Sequence, residues 1–212
     1  MESQKFDSAM GKALSALQMA EKQDLPLQKV KALACITGID IMTSRDSAAW
    51  EAALKAEEIA RKEGFRDDLA GILISKAKLC FYAEISPETG RNDEGLEYTR
   101  EALSLAEETQ SYEKQAEACY VIGSLYINKN RWNDQIDTVL YNTAGRYLDK
   151  GQAIADTYDI PRLKRNGIMF RSRWFQQGDR NAEAVHYFTQ VLTTLKANTP
   201  QPLKPWLVRL LP

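Results

Sequence analysis

The sequence has one histidine, three cysteines, seven prolines and eleven glycines in 212 residues, and each scarcity excludes something. A metal centre built from Cys and His fails on count. A nucleophile activated by histidine has only His186, which lies in a helical stretch between Val185 and Tyr187 where a packed or surface imidazole is the simpler reading. Cys35, Cys80 and Cys119 are an odd set without CxxC spacing, so the sequence predicts a reduced, cytoplasmic setting and three small buried apolar side chains rather than a disulfide framework. No apolar run approaches the length of a bilayer span and residues 1–20 lack a continuous apolar segment, so neither a signal peptide nor membrane insertion is expected. A surplus of charge is missing too: 28 basic residues face 29 acidic ones, which gives no global field for direct nucleic-acid binding. No Gly-rich strand-to-helix loop is present to cradle a phosphate. Carboxylates are plentiful, but they sit in runs such as AEEIARKE (56–63), where they pair locally with Lys and Arg. The expectation is a chain with no catalytic residues, no metal and no cofactor.

What is present is helical periodicity almost from end to end. Ala48, Ala49, Ala52, Ala53, Ala56, Ile59 and Ala60 fall on one stripe with charged residues filling the other face. The same three- and four-residue spacing predicts helices at roughly 5–22, 26–43, 47–63, 67–84, 93–109, 112–128, 134–158, 161–177 and 180–197. Composition, with 44% hydrophobic and 27% charged residues, suits one globular domain or one repeat array.

A turn recurs along the chain. EKQDLPLQK (21–29) and DTYDIPRLK (156–164) share Asp, a branched apolar residue and Pro, with the proline placed where a helix begins and its missing N–H costs nothing. Aligning these corners gives four windows that start at Ala20, Ala60, Ala106 and Ala155. Thirteen residues after each alanine lies Leu33, Leu73, Cys119 or Ile168. Seventeen residues after it lies a small residue, Thr37, Ala77, Gly123 or Ser172, which predicts close approach of neighbouring helices. The period stretches at SPETGRND (86–93), read as a long turn, and at the third repeat, where Asn133 or Asp134 is expected to cap a helix about two turns longer than its neighbours. Both additions fall at the same type of connection, so one edge of the array, marked by Trp132 and Tyr141, is a candidate partner surface.

IGSLY (122–126) resembles the Leu-Gly-x-x-Tyr core of the first helix of a tetratricopeptide repeat. GDRNAEAVHYFTQVL (178–192) resembles that family's Gly-Asp turn and second helix, with Ala184 and Phe188 in matching places. The remaining repeats match by periodicity, depart from the family's period, and put Lys76 and Arg171 where it has apolar residues. The resemblance implies an all-α, TPR-like α-α superhelix of four to five hairpins over residues 1–199, followed by a Pro-rich apolar segment at 200–212. It is similar to the sensory parts of bacterial TPR-containing transcription and signalling regulators. That likeness implies a non-catalytic protein- or peptide-binding module, with a scaffold or co-chaperone adaptor as the alternative and an enzyme with an unrecognised site as the lesser one.

The resemblance also places the first helix of each repeat on a concave groove. Carried over by position, that groove contains Lys31, Ala34, Gly38 and Ile41; Gly71, Ile74, Lys78 and Phe81; Glu117, Tyr120, Ser124 and Ile127; and Asn166, Met169, Arg173 and Gln176. Lys78 and Arg173 would orient a peptide through a carboxylate. Phe81, Tyr120 and Met169 read more simply as core, the usual meaning of a stripe at helical spacing. Arg162, Lys164, Arg165, Arg171 and Arg173 form a window with no acid, which fits a solvated face, an anionic partner or a nearby acidic segment. Trp206, Leu207, Val208, Leu210 and Leu211 are read as a cap on the array, with the start of a further segment or docking into a neighbour's groove in a homodimer as the alternatives.

Overall fold

The computed structural model describes residues 2–82, 91–131 and 135–198. They form nine helices: α1 (Glu2–Lys22), α2 (Pro26–Met42), α3 (Asp46–Glu63), α4 (Arg66–Tyr82), α5 (Asn92–Glu108), α6 (Tyr112–Arg131), α7 (Thr138–Thr157), α8 (Pro161–Gln177) and α9 (Asn181–Asn198). The protein is all-α among the described residues, and none of its helices is long and apolar enough to cross a membrane. Trp132, most of the 86–93 turn and the 200–212 segment lie outside the described residues.

The recurring corners have one physical cause. At each of them the fourth residue after the aligned alanine has a left-handed backbone: Asp24 at φ 49°, Gly64 at 73°, Gln110 at 55° and Asp159 at 47°. The next N–H then turns back to the alanine carbonyl, from Leu25 to Ala20, Phe65 to Ala60 and Ile160 to Ala155 at 2.9 Å, and from Ser111 to Ala106 at 2.8 Å. This 6→1 bond closes a Schellman motif and satisfies a carbonyl that the ending helix leaves without a partner. All four alanines are buried, so the corner also needs a side chain no larger than a methyl group. The two Pro corners share a further element: Lys29 donates to Asp24 at 2.7 Å and Lys164 donates to Asp159 at 2.8 Å, which pins the left-handed aspartate to the new helix.

Gln110 has no such anchor among its contacts and pays the usual strain of a non-glycine residue in this conformation. Gln110→Gly is therefore expected to stabilise the chain by about 0.5–1 kcal/mol. A shift of the urea midpoint at unchanged m-value checks it.

Consecutive helices pack on one another, and α2, α4, α6 and α8 also touch in series, whereas α3, α5 and α7 do not touch each other. The even helices thus form one layer and the odd helices a second. Two apolar clusters fill the space between the layers. The larger runs from α1 to α6 and includes Val30, Leu73, Ala102 and Ile122; the smaller joins α6, α7 and α8 through Tyr120, Leu148 and Leu163. Close approach at the recurrent small residue is realised at Gly123, where a Cβ would lie 2.7 Å from Leu148 Cδ2.

The third repeat corrects one expectation. Its second helix begins at Thr138, not 134, and its 20 residues equal α6 and exceed α5 and α8 by three, less than one turn and not two. Asp137 is the cap: its Oδ1 accepts from the backbone N–H of Val139 at 2.8 Å and of Leu140 at 3.1 Å. Asn130 fixes that cap from α6 by accepting the Asp137 N–H at 2.8 Å.

Candidate functional site

The even-helix layer carries a cleft of about 350 Å³ lined by residues of α2, α4, α6 and α8. Gly38, Ile41, Lys78, Glu117, Tyr120, Asn166 and Met169, all assigned to the groove by position, meet there. They do so because the same helical register is presented by four helices that touch in series. Their roles differ. Met169 is exposed and Asn166 half-buried, both open to the cleft. Tyr120 is only 1% exposed and forms its floor: its hydroxyl donates to Gln152 Oε1 at 3.1 Å and its ring stacks on Phe170 at 5.7 Å. Ser124 is buried and donates to the Tyr120 carbonyl at 2.9 Å, so it belongs to the helix interior and not to the groove. Phe81 is half-buried against the larger cluster, with the exposed Arg173 guanidinium 5.8 Å from its ring centre.

Lys78 does not wait for a ligand carboxylate. Its ammonium donates to Glu117 at 2.5 Å, and Glu117 also takes Arg162 at 3.1 Å, while Arg162 reaches Glu113 at 2.9 Å. This ladder ties α4, α6 and α8 together along the cleft. Burial alone would push the Glu117 carboxyl up, but Lys78 and Arg162 outweigh it and bring it down to about 2. The acid-free window 161–173 is likewise answered by neighbouring acids, with Arg162 on Glu113 and Glu117 and Arg171 on Asp149.

A pH dependence follows. Glu117 titrates near 4.5 when unfolded and near 2 when folded, so its contribution is complete above about 4.5 and is lost as pH falls through about 2. Glu117→Gln is expected to flatten this part of the acid limb, a difference on the order of 3 kcal/mol, in urea midpoints measured between pH 5 and 2.

Lys31 lies on a second surface. It lines an open trough of about 830 Å³ between α1 and α2, together with Ala9, Ala13, Ala16, Met19 and Cys35. Gly38 and Met42 line both trough and cleft, so the two adjoin along α2. Sequence alignment of the corners missed the α1 half because α1 precedes the first window; the spacing of Ala9, Ala13, Ala16 and Ala20 was the available signal. Cys35 is exposed in this trough, contrary to the expectation of three buried thiols, whereas Cys80 and Cys119 are buried and burial pushes both thiols up to about 11.

Tyr141 does not mark an open edge. It is half-buried at the α7–α8 junction, stacked on Trp174 at 4.9 Å, and its carbonyl accepts the Trp174 indole N–H at 2.9 Å. Lys76 and Arg171 hold equivalent places. Each is the eleventh residue of its helix, paired with the twelfth residue of the preceding odd helix, Glu57 or Asp149, and set over the seventh residue of the following one, Tyr98 or Tyr187. The charges that break the apolar pattern are thus one acid–cation–tyrosine unit used twice.

Among the described residues no three His, Cys, Asp or Glu side chains come together as ligands for a metal ion. No protein-family model matches the chain, and no curated protein matches it.

Proposed function

We propose that the chain is a non-catalytic protein- or peptide-binding module, built as a TPR-like superhelix and serving as the sensory or interaction part of a regulator. The observation that carries this reading is the surface formed by the adjoining α1–α2 trough and even-helix cleft. It is open, largely apolar, and draws on five helices, three of which, α4, α6 and α8, are joined by an internal ion-pair ladder. Apolar area along such a path supplies affinity for an extended or helical segment, and the few polar groups at its side fix orientation.

Lys78→Glu is a poor probe, because it would set a second carboxylate against Glu117. Met169→Asp/Arg173→Glu instead changes two exposed side chains of α8, Met169 in the cleft and Arg173 one turn further along the helix. Affinity capture from a native lysate, with circular dichroism showing both proteins helical, is expected to return a partner with the parent chain that the variant loses. A partner held equally by both, or none by either, overturns the reading.

A further inference from the structure

We propose that the trough between α1 and α2 docks an acidic amphipathic helix of a partner, a proposal that rests on the peptide-binding reading above and names the class of ligand. The packing order of the array points to a helix. Within the array each of α3, α5 and α7 lies against two even helices that also touch each other, whereas α1 lies against α2 alone among the described residues. A helix laid in the trough would restore that three-helix contact at the end of the array.

The walls fit such an occupant. Ala9, Ala13, Ala16 and Ala20 recur at steps of four, three and four along α1, and Ala32, Cys35, Ile39 and Met42 recur at steps of three, four and three along α2. The eleven steps from Ala9 to Ala20 span about 17 Å, room for three turns of helix, and small side chains let its axis approach closely. Met19 and Met42, 60% and 68% exposed, are adaptable apolar side chains at the rim.

Charge selects the partner. Among the described residues Lys12 and Lys31 are the charged ones lining the trough and no acid lines it, although the chain as a whole has a net charge of −1. A helix with acidic residues flanking its apolar stripe answers both lysines. The chain's own residues 199–212 carry Lys204 and Arg209 and no acid, so they are disfavoured by charge, and α1 of a second copy, with three acids and three lysines, answers the two lysines less well than an acidic helix does.

The test uses two labelled 18-residue peptides with the same Leu/Ala stripe, one flanked by Glu and one by Lys, titrated into the full chain by fluorescence anisotropy. The Glu peptide is expected to bind about tenfold more tightly, with the preference gone in Lys12→Glu/Lys31→Glu. Ala16→Trp, which fills the trough from an exposed position, is expected to weaken the Glu peptide at least tenfold with helicity and unfolding midpoint unchanged. Equal binding of the two peptides, or binding of neither, overturns the proposal. Binding that survives Ala16→Trp but is lost in Met169→Asp/Arg173→Glu moves the ligand to the cleft, overturning this inference while the peptide-binding reading stands. Two further results overturn it in favour of another occupant. Self-association abolished by Ala16→Trp would give the trough to a second copy, and tighter binding of both peptides in Trp206→Asp/Leu210→Asp would give it to the chain's own apolar segment.

Discussion

Tyr120→Ala is expected to cost about 3–5 kcal/mol and to divide the unfolding of the chain into two steps. Among the described residues Tyr120 is the largest fully buried side chain, and it belongs to the smaller cluster that joins α6, α7 and α8. The surroundings are shaped around its ring: a Cβ at Gly151 would lie 3.1 Å from Tyr120 Cδ1, and one at Gly167 would lie 2.5 Å from its hydroxyl. Those two glycines leave the ring its space, so removing the ring opens a cavity that neighbouring side chains are too short to refill. The larger cluster, spanning α1 to α6, touches few of the same residues and keeps its own contacts. In the variant, amide exchange in α7 and α8 is therefore expected to approach the rate of local opening while α2 to α5 stay protected. Tyr120→Phe keeps the ring and loses only the bond to Gln152, for about 1 kcal/mol. Exchange that accelerates uniformly along Tyr120→Ala would show that the two clusters unfold as one.

The contrast between Tyr120 and Met169 marks where sequence reasoning reached its limit. Both were placed in the groove by the same offset from their corner alanines, and both line the cleft. Register along a helix is legible from spacing, but depth is not, because depth depends on which neighbour stands opposite. Tyr120 is covered by α7 and α8 through Gly151 and Gly167, whereas Met169 remains 45% exposed. The corners were legible for the opposite reason: a Schellman motif is local, and its left-handed residue, buried alanine and first-turn proline all leave marks within a few positions. The start of α7 was not, since Asn133, Asp134 and Asp137 are all able caps and the choice was made by Asn130, seven residues before Asp137. Lys76 and Arg171 looked like departures from an apolar pattern because their partners lie on other helices.

Those partners are not equivalent, and the difference gives the second large effect. Lys76 is 3% exposed; its ammonium donates to Glu57 at 2.7 Å and lies 3.9 Å from the Tyr98 ring centre and 5.1 Å from that of Trp50. Burial would raise the Glu57 carboxyl, yet its bonds to Lys76 and Arg61 prevail and hold it below its ordinary value. Glu57 has a second cation, Arg61, whose Nε donates to it at 2.9 Å, while Glu57 is the carboxylate on which Lys76 depends. Glu57→Ala leaves an interior ammonium without the carboxylate it donates to, facing the rings of Tyr98 and Trp50, and is expected to cost about 3–5 kcal/mol. Lys76→Met removes the charge from the buried end, keeps most of the side-chain volume, and leaves Glu57 paired with Arg61, so about 1 kcal/mol is expected. The double variant Glu57→Ala/Lys76→Met should then be more stable than Glu57→Ala alone, a sign reversal readable in urea midpoints. If Lys76→Met proves as costly as Glu57→Ala, the rings of Trp50 and Tyr98 hold the ammonium more strongly than the carboxylate does, and the repeated unit at Arg171 and Tyr187 would have to be understood as an aromatic clamp with the acid as accessory.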